Sequence, residues 1–186
     1  FPYFGWLIAI ETVPLRIAAQ FKLSLVFYGE EGETEYGGST ALKNSAFHSI
    51  DFMRDVYLEG GQDLVFKEAN LANEALTLFR FPTQSDYGDH QLKITHWSYF
   101  ENWDPYRNYL LAKEKCGLTE AADTNTGTFT NFAQNDQALY SLHAYMMYLK
   151  FGFGRVTDYV NEEIRLGRMS RENGIKIIEK YDGTYD

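Results

Sequence analysis

The sequence contains few of the features on which several classes of protein depend. A single cysteine, Cys116, excludes a disulfide framework and a cysteine-based zinc site, and it is typical of a reducing compartment. No apolar run approaches the roughly 18 residues that a membrane-spanning helix needs. Positive charge is also scarce, and the net charge of −9 argues against a nucleic-acid-binding protein. These absences predict a cytoplasmic protein that neither inserts into a membrane nor binds nucleic acid.

The residues that are present favour a folded chain. Hydrophobic residues make up 45% of the sequence and aromatic residues 17%, which excludes a disordered chain, and 186 residues are enough to bury a core. The run from Phe1 to Trp6 has neither an initiator methionine nor the basic region of a signal peptide. We therefore interpret the chain as one that begins inside a domain.

The first forty residues predict one layer of an α/β fold. Thr12 is typical of a helix N-cap and Pro14 is tolerated in a first turn, so we predict that a helix begins there. Residues 23–28 form a nearly continuous apolar run, which indicates a buried strand. Because ligands of open α/β sheets bind beyond the carboxyl ends of the strands, we expect residues 29–38 to lie close to the chemistry.

The pattern in the remainder of the chain is mostly helical. Residues 91–100 alternate in polarity and indicate a second strand, whereas residues 119–134 are rich in Thr, Asn and Gly and predict a long loop. Gly167 and Gly183 are typical of positions at which helices end. The predicted helices cover residues 47–58, 63–79, 103–116, 136–150, 157–166 and 170–181.

The stretch from Lys150 to Asp158 has the composition of an anion-binding site. Gly152 and Gly154 leave the backbone open, a helix is predicted to start just after them, and Lys150 and Arg155 flank them. Backbone N–H groups and a guanidinium can converge there on a phosphate or a carboxylate. The alternative is a turn between two helices, in which the glycines supply positive φ and Arg155 is an ordinary surface residue.

The predicted helix that leads into this stretch carries two stripes of residues, one apolar and one polar. On the binding hypothesis, His143 and Lys150 face a ligand that the glycines hold. On the alternative, His143 is half-buried and paired with a neighbour, and Lys150 is solvated. The polar stripe, at helical spacing, consists of Asp136, Tyr140, His143, Met147 and Lys150.

Two further clusters of charge suggest small ligands. The loop that contains Glu30 and Glu35 offers carboxylate oxygens, which Mg²⁺ prefers, although acidic loops are also commonly just solvated. Arg165, Arg168 and Arg171 indicate a small anionic ligand. The turn around Arg168 has the spacing of a DNA-binding helix-turn-helix, but the acidic net charge argues against that interpretation.

Several segments stand out in their order along the chain: Tyr28-Gly29-Glu30, Glu35-Tyr36-Gly37, Trp103-Asp104-Pro105, Leu142-His143, Tyr148-Leu149-Lys150-Phe151-Gly152-Phe153-Gly154-Arg155, Ile164-Arg165-Leu166-Gly167-Arg168-Met169-Ser170-Arg171-Glu172 and Tyr181-Asp182-Gly183. Together they resemble the C-terminal portion of N-acetyl sugar amidotransferases. This family acts in the biosynthesis of lipopolysaccharide O-antigen and related surface sugars. The resemblance extends over essentially the whole chain and is densest from about residue 136 to 183.

The resemblance implies a fold and a reaction. The family has the adenine-nucleotide α-hydrolase fold of the PP-loop ATP pyrophosphatases, so residues 1–100 are expected to be the remainder of an α/β nucleotide-binding domain. Residues 101–186 are then a mostly helical region on the substrate side. ATP, with Mg²⁺, would adenylylate the amide oxygen of an N-acetyl group on a sugar nucleotide. Ammonia from a glutaminase partner would then displace AMP and leave an acetamidino group.

The chain also departs from the family pattern. The phosphate loop Ser-Gly-Gly-x-Asp-Ser and the N-terminal cysteine pairs are absent, and both would lie upstream of Phe1. The resemblance therefore implies an enzyme for the full-length protein and leaves the activity of this chain alone open, with no catalytic residue assigned. The alternative function is a non-catalytic module that binds a sugar nucleotide or docks a partner.

The resemblance also implies roles for individual residues. Glu30 and Glu35 would lie at the nucleotide crevice, near Mg²⁺. The substrate side would include the loop glycines Gly152 and Gly154, and basic side chains there would contact anionic groups of the sugar nucleotide or of AMP. Those side chains are His143, Lys150, Arg155 and Arg168.

Overall fold

A computed structural model describes residues 4–30, 45–57, 62–70, 72–124, 126–133 and 138–185. The helices are α1 (Phe4–Gln20), α2 (Ile50–Phe52), α3 (Gln62–Ala69), α4 (Gln84–Tyr87), α5 (Pro105–Cys116), α6 (Ala138–Phe151), α7 (Arg155–Arg165) and α8 (Arg171–Tyr181). The strands are β1 (Leu25–Tyr28) and β2 (Lys93–His96), and short 3₁₀ or π turns cover Met53–Tyr57, Thr77–Phe79 and Trp97–Tyr99. The chain divides into two compact units, an N-terminal one of residues 4–104 and a C-terminal one from Pro105 onward.

The N-terminal unit is built on a small parallel sheet. Strands β1 and β2 pair in register from Leu25 opposite Lys93 to Tyr28 opposite His96. At the other edge of β2, His48 forms an antiparallel bridge with Ile94, through backbone hydrogen bonds of 2.8 and 3.1 Å. Helices combined with a parallel sheet agree with the predicted α/β class. The PP-loop type of fold stays a prediction.

The core of this unit lies between α1 and the sheet. Parallel strands need a covering layer because their apolar side chains project from the sheet. Each large aliphatic side chain buried there contributes about 1.5–3 kcal/mol of transfer free energy. The core cluster consists of Leu15, Ala18, Tyr28, Ile50, Met53, Phe81, Leu92 and Ile94.

The predicted start of the first helix at Thr12 is wrong, because α1 begins at Phe4 and includes Pro14 in its interior. A proline inside a helix leaves the carbonyl four residues earlier without its usual donor. Here that carbonyl belongs to Ile10, and the Tyr28 hydroxyl donates to it at 3.0 Å. Thr12 is fully buried, and its hydroxyl donates to the Leu78 carbonyl at 2.7 Å. A tertiary contact thus replaces the hydrogen bond that Pro14 removes.

The prediction that the first strand is buried is also wrong for one of its faces. Tyr28 is buried, whereas Leu25 and Phe27 are 45% and 48% exposed. Successive side chains of a strand point to opposite faces, so an apolar run makes both faces apolar even when only one is covered. On the exposed face, the Phe27 ring lies 6.0 Å from that of Trp97 and 5.8 Å from that of Phe100.

Three predicted elements of this unit are shorter than expected. The helix expected over 63–79 ends at Ala69, because Asn70 adopts a positive φ of 49°, a conformation that terminates helices. The strand expected over 91–100 ends at His96, where a 3₁₀ turn begins. Of the helix expected over 47–58, residues 50–57 form a single α turn followed by a π turn, and Leu58 lies outside the described residues.

The C-terminal unit agrees more closely with the sequence. Helix α5 ends at the predicted residue and begins two residues later than expected, and α6, α7 and α8 lie within one or two residues of their predicted bounds. Gly167 and Gly183 have φ of 72° and 71°, which confirms them as helix-ending positions. The stretch 119–133 contains no helix or strand in its described residues, 119–124 and 126–133. In this unit, short sequence patterns therefore predict where the helices begin and end.

Helices α7 and α8 pack closely at Gly174. A Cβ atom at that position would lie 2.6 Å from Cγ1 of the buried Val160 and 3.0 Å from Cδ1 of Ile164. Glycine therefore permits this helix contact. Among the described helices of the whole chain, none combines the length and the apolar character that crossing a bilayer requires.

Candidate functional site

The two parallel strands end side by side, at the edge where α/β proteins bind ligands. Tyr28 and His96 are the last residues of β1 and β2, and they pair in register. Both are buried, and their rings stack with centroids 5.4 Å apart. The sequence predicts chemistry in the loop after β1 but no role for His96. The alternating pattern places His96 inside the strand expected over 91–100, so no local signal marks it as part of a site.

His48 joins this edge from the bridge beside β2. Its ring meets that of His96 edge-on, with centroids 5.8 Å apart, and stacks on Phe52 at 5.0 Å. Burial, followed by the proximity of His48, lowers the pKa of His96 to about 4. His96 is therefore neutral at neutral pH and contributes no positive charge to the edge.

Helix α1 adds a carboxyl group to the same edge. Glu11 is 2% exposed, and neither of its carboxyl oxygens has a hydrogen-bond partner among the described residues. Burial, and then the negative charge of Glu30, raise its pKa to about 8. Burial and the charges of Glu11 and Glu30 also raise the pKa of Tyr28. We call Glu11, Tyr28, Glu30, His48 and His96 the edge cluster.

The edge cluster is suited to proton transfer. A carboxyl group is an effective general acid or base when its pKa lies near the working pH, and burial is the usual means of raising it. Glu11 meets that condition, and His96 beside Tyr28 stays neutral. His48 is the one member of the cluster that also lines a cavity of about 450 Å³, whose other walls include Tyr87 and His90.

Of the predicted Mg²⁺ ligands, Glu30 lies at the described edge and Glu35 lies outside the described residues. Glu30 is half-buried and follows β1 by two positions. Within the part of the chain that the structure describes, no group of three or more His, Cys, Asp or Glu residues is arranged to hold a metal ion. Magnesium binding by Glu30 and Glu35 stays a prediction.

The two glycines of the Lys150–Asp158 stretch have different roles. Gly152 has a φ of 78° and its N–H donates to the Tyr148 carbonyl at 2.8 Å, so it ends α6 as the turn interpretation expected. Gly154 is buried and has a negative φ of −123°. A Cβ atom there would lie 2.3 Å from Oδ1 of Asp182. Position 154 requires glycine because the Asp182 carboxylate lies too close to leave room for a Cβ atom.

The N-terminus of α7 is occupied by a carboxylate of the chain itself. Oδ2 of Asp182 accepts hydrogen bonds from the Gly154 N–H at 2.9 Å and from the Thr157 hydroxyl at 2.6 Å. A negative charge at this point also complements the helix dipole. The sequence did not predict this role for Asp182, because it lies 28 positions from Gly154 and no local pattern connects the two.

Arg155 is held between two tyrosine rings. Its guanidinium carbon lies 4.4 Å from the ring centroid of Tyr140 and 4.7 Å from that of Tyr159, and its Nε donates to the Tyr159 hydroxyl. No ion pair to Arg155 is present among the described residues. We call Tyr140, Arg155 and Tyr159 the arginine clamp. It presents a charged, planar group in a fixed orientation.

The structure brings His143 close to the clamp. Its ring lies 6.1 Å from that of Tyr140, so Tyr140 contacts both His143 and Arg155. Burial lowers the pKa of His143, which favours the neutral imidazole. Beside the clamp, burial is the main cause that raises the pKa of Asp158, and the charge of Arg155 opposes it. The second polar stripe of α6 thus leads to Arg155.

The other predicted basic residues have different surroundings. Lys150 is exposed, and its Nζ lies 4.9 Å from the centroid of the Phe151 ring. Arg168 forms a two-point ion pair with Glu163, through bonds of 2.8 and 2.5 Å. Their roles as ligand contacts, like those of His143, Gly152, Gly154 and Arg155, stay predictions.

Part of the chain matches a known family model. No curated protein matches the chain significantly. Residues 126–186 match the family model described as LPS biosynthesis protein WbpG-like, C-terminal domain. This segment contains α6, α7, α8, the arginine clamp and Asp182. About a third of the chain is therefore similar to the C-terminal domain of WbpG-like proteins of lipopolysaccharide biosynthesis, a similarity that supports a role in that process.

Proposed function

We propose that the chain is the C-terminal region of a cytoplasmic, ATP-dependent amidotransferase. Its full-length protein converts the N-acetyl group of a sugar nucleotide into an acetamidino group during lipopolysaccharide biosynthesis. The observation that carries this proposal is the match of residues 126–186 to a lipopolysaccharide-biosynthesis domain. The order of the family-like segments along the rest of the chain supports it.

The proposed reaction has two steps. An amide oxygen is a poor leaving group, so ATP first adenylylates it and pyrophosphate leaves. Ammonia, supplied by a glutaminase partner, then attacks the activated carbon and AMP leaves. In such a reaction the protein mainly positions the reactants and stabilises charge. Both steps involve anionic phosphate groups, so the binding site requires cationic side chains that are held rigidly.

The arginine clamp is suited to that requirement. A guanidinium is planar, stays charged, and binds a phosphate or carboxylate through two parallel hydrogen bonds. Packing between Tyr140 and Tyr159 limits its motion, so less conformational entropy is lost when a ligand binds. The N-terminus of α7 is itself capped by Asp182. In our proposal Arg155, rather than the helix terminus, contacts the anionic group.

Magnesium would accompany ATP in this reaction. Carboxylate oxygens suit it, and Glu30 supplies a carboxylate two positions after β1. Magnesium would neutralise phosphate charge. Glu30 would contribute one ligand at the carboxyl end of the sheet, and Glu35 would be the second in this proposal.

The reaction is tested by pyrophosphate release from the full-length protein. We expect release that requires both ATP and an N-acetylated sugar nucleotide, with UDP-N-acetylglucosamine as the first probe and ammonium as the nitrogen source. The same sugar nucleotide with a free amine in place of the acetamido group is the control. Absence of sugar-dependent release across a panel of N-acetylated sugar nucleotides would rule out the enzyme, and binding without release would favour the non-catalytic module.

Arg155→Ala is expected to weaken binding of the sugar nucleotide about 10- to 100-fold, since a hydrogen bond to a charged group contributes about 1.5–3 kcal/mol. Arg155→Lys keeps the charge but loses the planar fork, so it should recover part of the affinity. Isothermal titration calorimetry measures both variants. Arg107→Ala, at an exposed position of the same unit, is the matched control. Equal affinities for Arg155→Ala and Arg107→Ala would show that Arg155 is an ordinary surface residue.

A further inference from the structure

Glu11 is a buried acidic group that the proposed roles above do not use. It is 2% exposed, and both carboxyl oxygens lack hydrogen-bond partners among the described residues. Leaving one buried acceptor unsatisfied costs about 1–3 kcal/mol, and more if the group is charged. Such an arrangement is retained most readily where a ligand satisfies the group.

The surroundings of Glu11 define the charge of that ligand. Burial and Glu30 both disfavour the ionised carboxylate, and no described cationic side chain opposes them. His96 lies close to the same tyrosine but is neutral. The local field is therefore negative, which favours a cation over an anion or a neutral molecule.

The carboxylate chemistry of Glu11 determines how many hydrogen bonds the ligand must donate. An ionised carboxylate only accepts hydrogen bonds, so a ligand that satisfies both oxygens must donate at least twice. The Tyr28 hydroxyl donates to the backbone carbonyls of Ile10 and Glu11, at 3.0 and 3.4 Å, and not to the Glu11 carboxylate. With the side chain 2% exposed, the ligand must be small.

We propose that Glu11 binds an ammonium ion at the carboxyl ends of β1 and β2. Ammonium is small, positively charged and able to donate four hydrogen bonds. The identification of ammonium rests on the proposed function, in which ammonia is the nucleophile. The site would hold the nitrogen source at the sheet edge where α/β proteins carry out their chemistry.

The test is the dependence of stability on ammonium. Unfolding of the 186-residue chain is followed above pH 8, where Glu11 ionises, in ammonium, potassium and sodium chloride at equal ionic strength. A ligand that binds only the folded state makes the unfolding constant fall with its concentration. We expect a log–log slope approaching about −1 in ammonium, and no slope in the other two salts. Potassium has a similar size and the same charge but no N–H donors.

Variants assign the effect to Glu11. Glu11→Gln should abolish the ammonium dependence, whereas Glu74→Gln, which changes an exposed carboxylate of the same unit, should keep it. Equal slopes in all three salts, or a slope that persists in Glu11→Gln, would overturn the ammonium site. The assay needs no turnover. A protein that releases pyrophosphate but shows no ammonium slope would refute this site alone, and the reverse result would refute the reaction alone.

Discussion

Glu11→Gln is expected to remove a loss of stability that the wild-type N-terminal unit shows between about pH 6.5 and 8. The pKa of Glu11 is about 8 in the folded chain and 4.5 for an unperturbed carboxyl. Between those values the folded state retains a proton that the unfolded state releases, so the free energy of unfolding falls as pH rises. The slope is about 1.4 kcal/mol per pH unit.

His96 acts in the opposite direction over part of this range. Its pKa is about 4 in the folded chain against 6.5 unperturbed. Between those values the unfolded state binds the extra proton, so stability rises with pH. The two slopes oppose one another from about pH 4.5 to 6.5, and Glu11 alone acts above that. Of the other groups facing Glu11, Tyr28 has a raised pKa and affects stability only above pH 10.

The expected loss in the wild type is therefore about 2 kcal/mol between pH 6.5 and 8, and close to zero in Glu11→Gln. The three tryptophans, Trp6, Trp97 and Trp103, all belong to the N-terminal unit, so their fluorescence reports its unfolding separately. Urea denaturation in sodium salts measures the effect without ammonium. Glu30→Gln removes one cause of the shift and should reduce the slope only partly. Parallel pH curves for the wild type and Glu11→Gln would contradict the burial of an acid at this position.

Gly183→Ala is expected to destabilise the C-terminal unit by about 2–4 kcal/mol. Gly183 has a φ of 71°, which is unfavourable for residues with a side chain. A Cβ atom would also lie 2.4–2.7 Å from three ring atoms of Tyr148 on α6. Because the ring would have to move, the substitution should also displace the neighbouring Asp182, which caps α7.

Gly167→Ala separates the two effects. Gly167 has nearly the same φ, 72°, but a Cβ there would meet nothing within 4 Å. The stability that Gly167→Ala loses should therefore be limited to backbone strain of about 1 kcal/mol. Far-UV circular dichroism and hydrogen exchange of the α7 amides measure both variants. Equal losses for Gly183→Ala and Gly167→Ala would show that Tyr148 yields freely and that the contact contributes nothing.

Local signals account for the parts of the fold that could be predicted. In the C-terminal unit, Ser170 caps α8 by accepting the Asn173 N–H, and glycines with positive φ follow α7 and α8. Interactions of this kind span a few residues, so short sequence patterns can predict them. Residue type and spacing also predicted a role for Arg155, and one wall of its clamp, Tyr159, lies one helical turn away.

The failed predictions share a physical cause. Pro14 looked like a helix start because nothing nearby in sequence could replace the hydrogen bond that it removes, yet Tyr28 does so from 18 positions beyond the carbonyl that it satisfies. An apolar run cannot report which face of β1 is covered. The exposed side chains of Leu25 and Phe27 depend on what packs against the sheet.

The sequence alone determined the α/β class, the three C-terminal helices with their ends, and a stretch of glycines and cations with a family resemblance. Only the tertiary structure showed that Asp182 occupies the N-terminus of α7, that Tyr140 completes the clamp around Arg155, and that Glu11 is a buried acid beside Tyr28. The conformational preference of a residue depends on its neighbours along the chain, so short sequence patterns predict it. Burial and charge proximity depend on residues that are distant in sequence, so they arise only when the chain has folded.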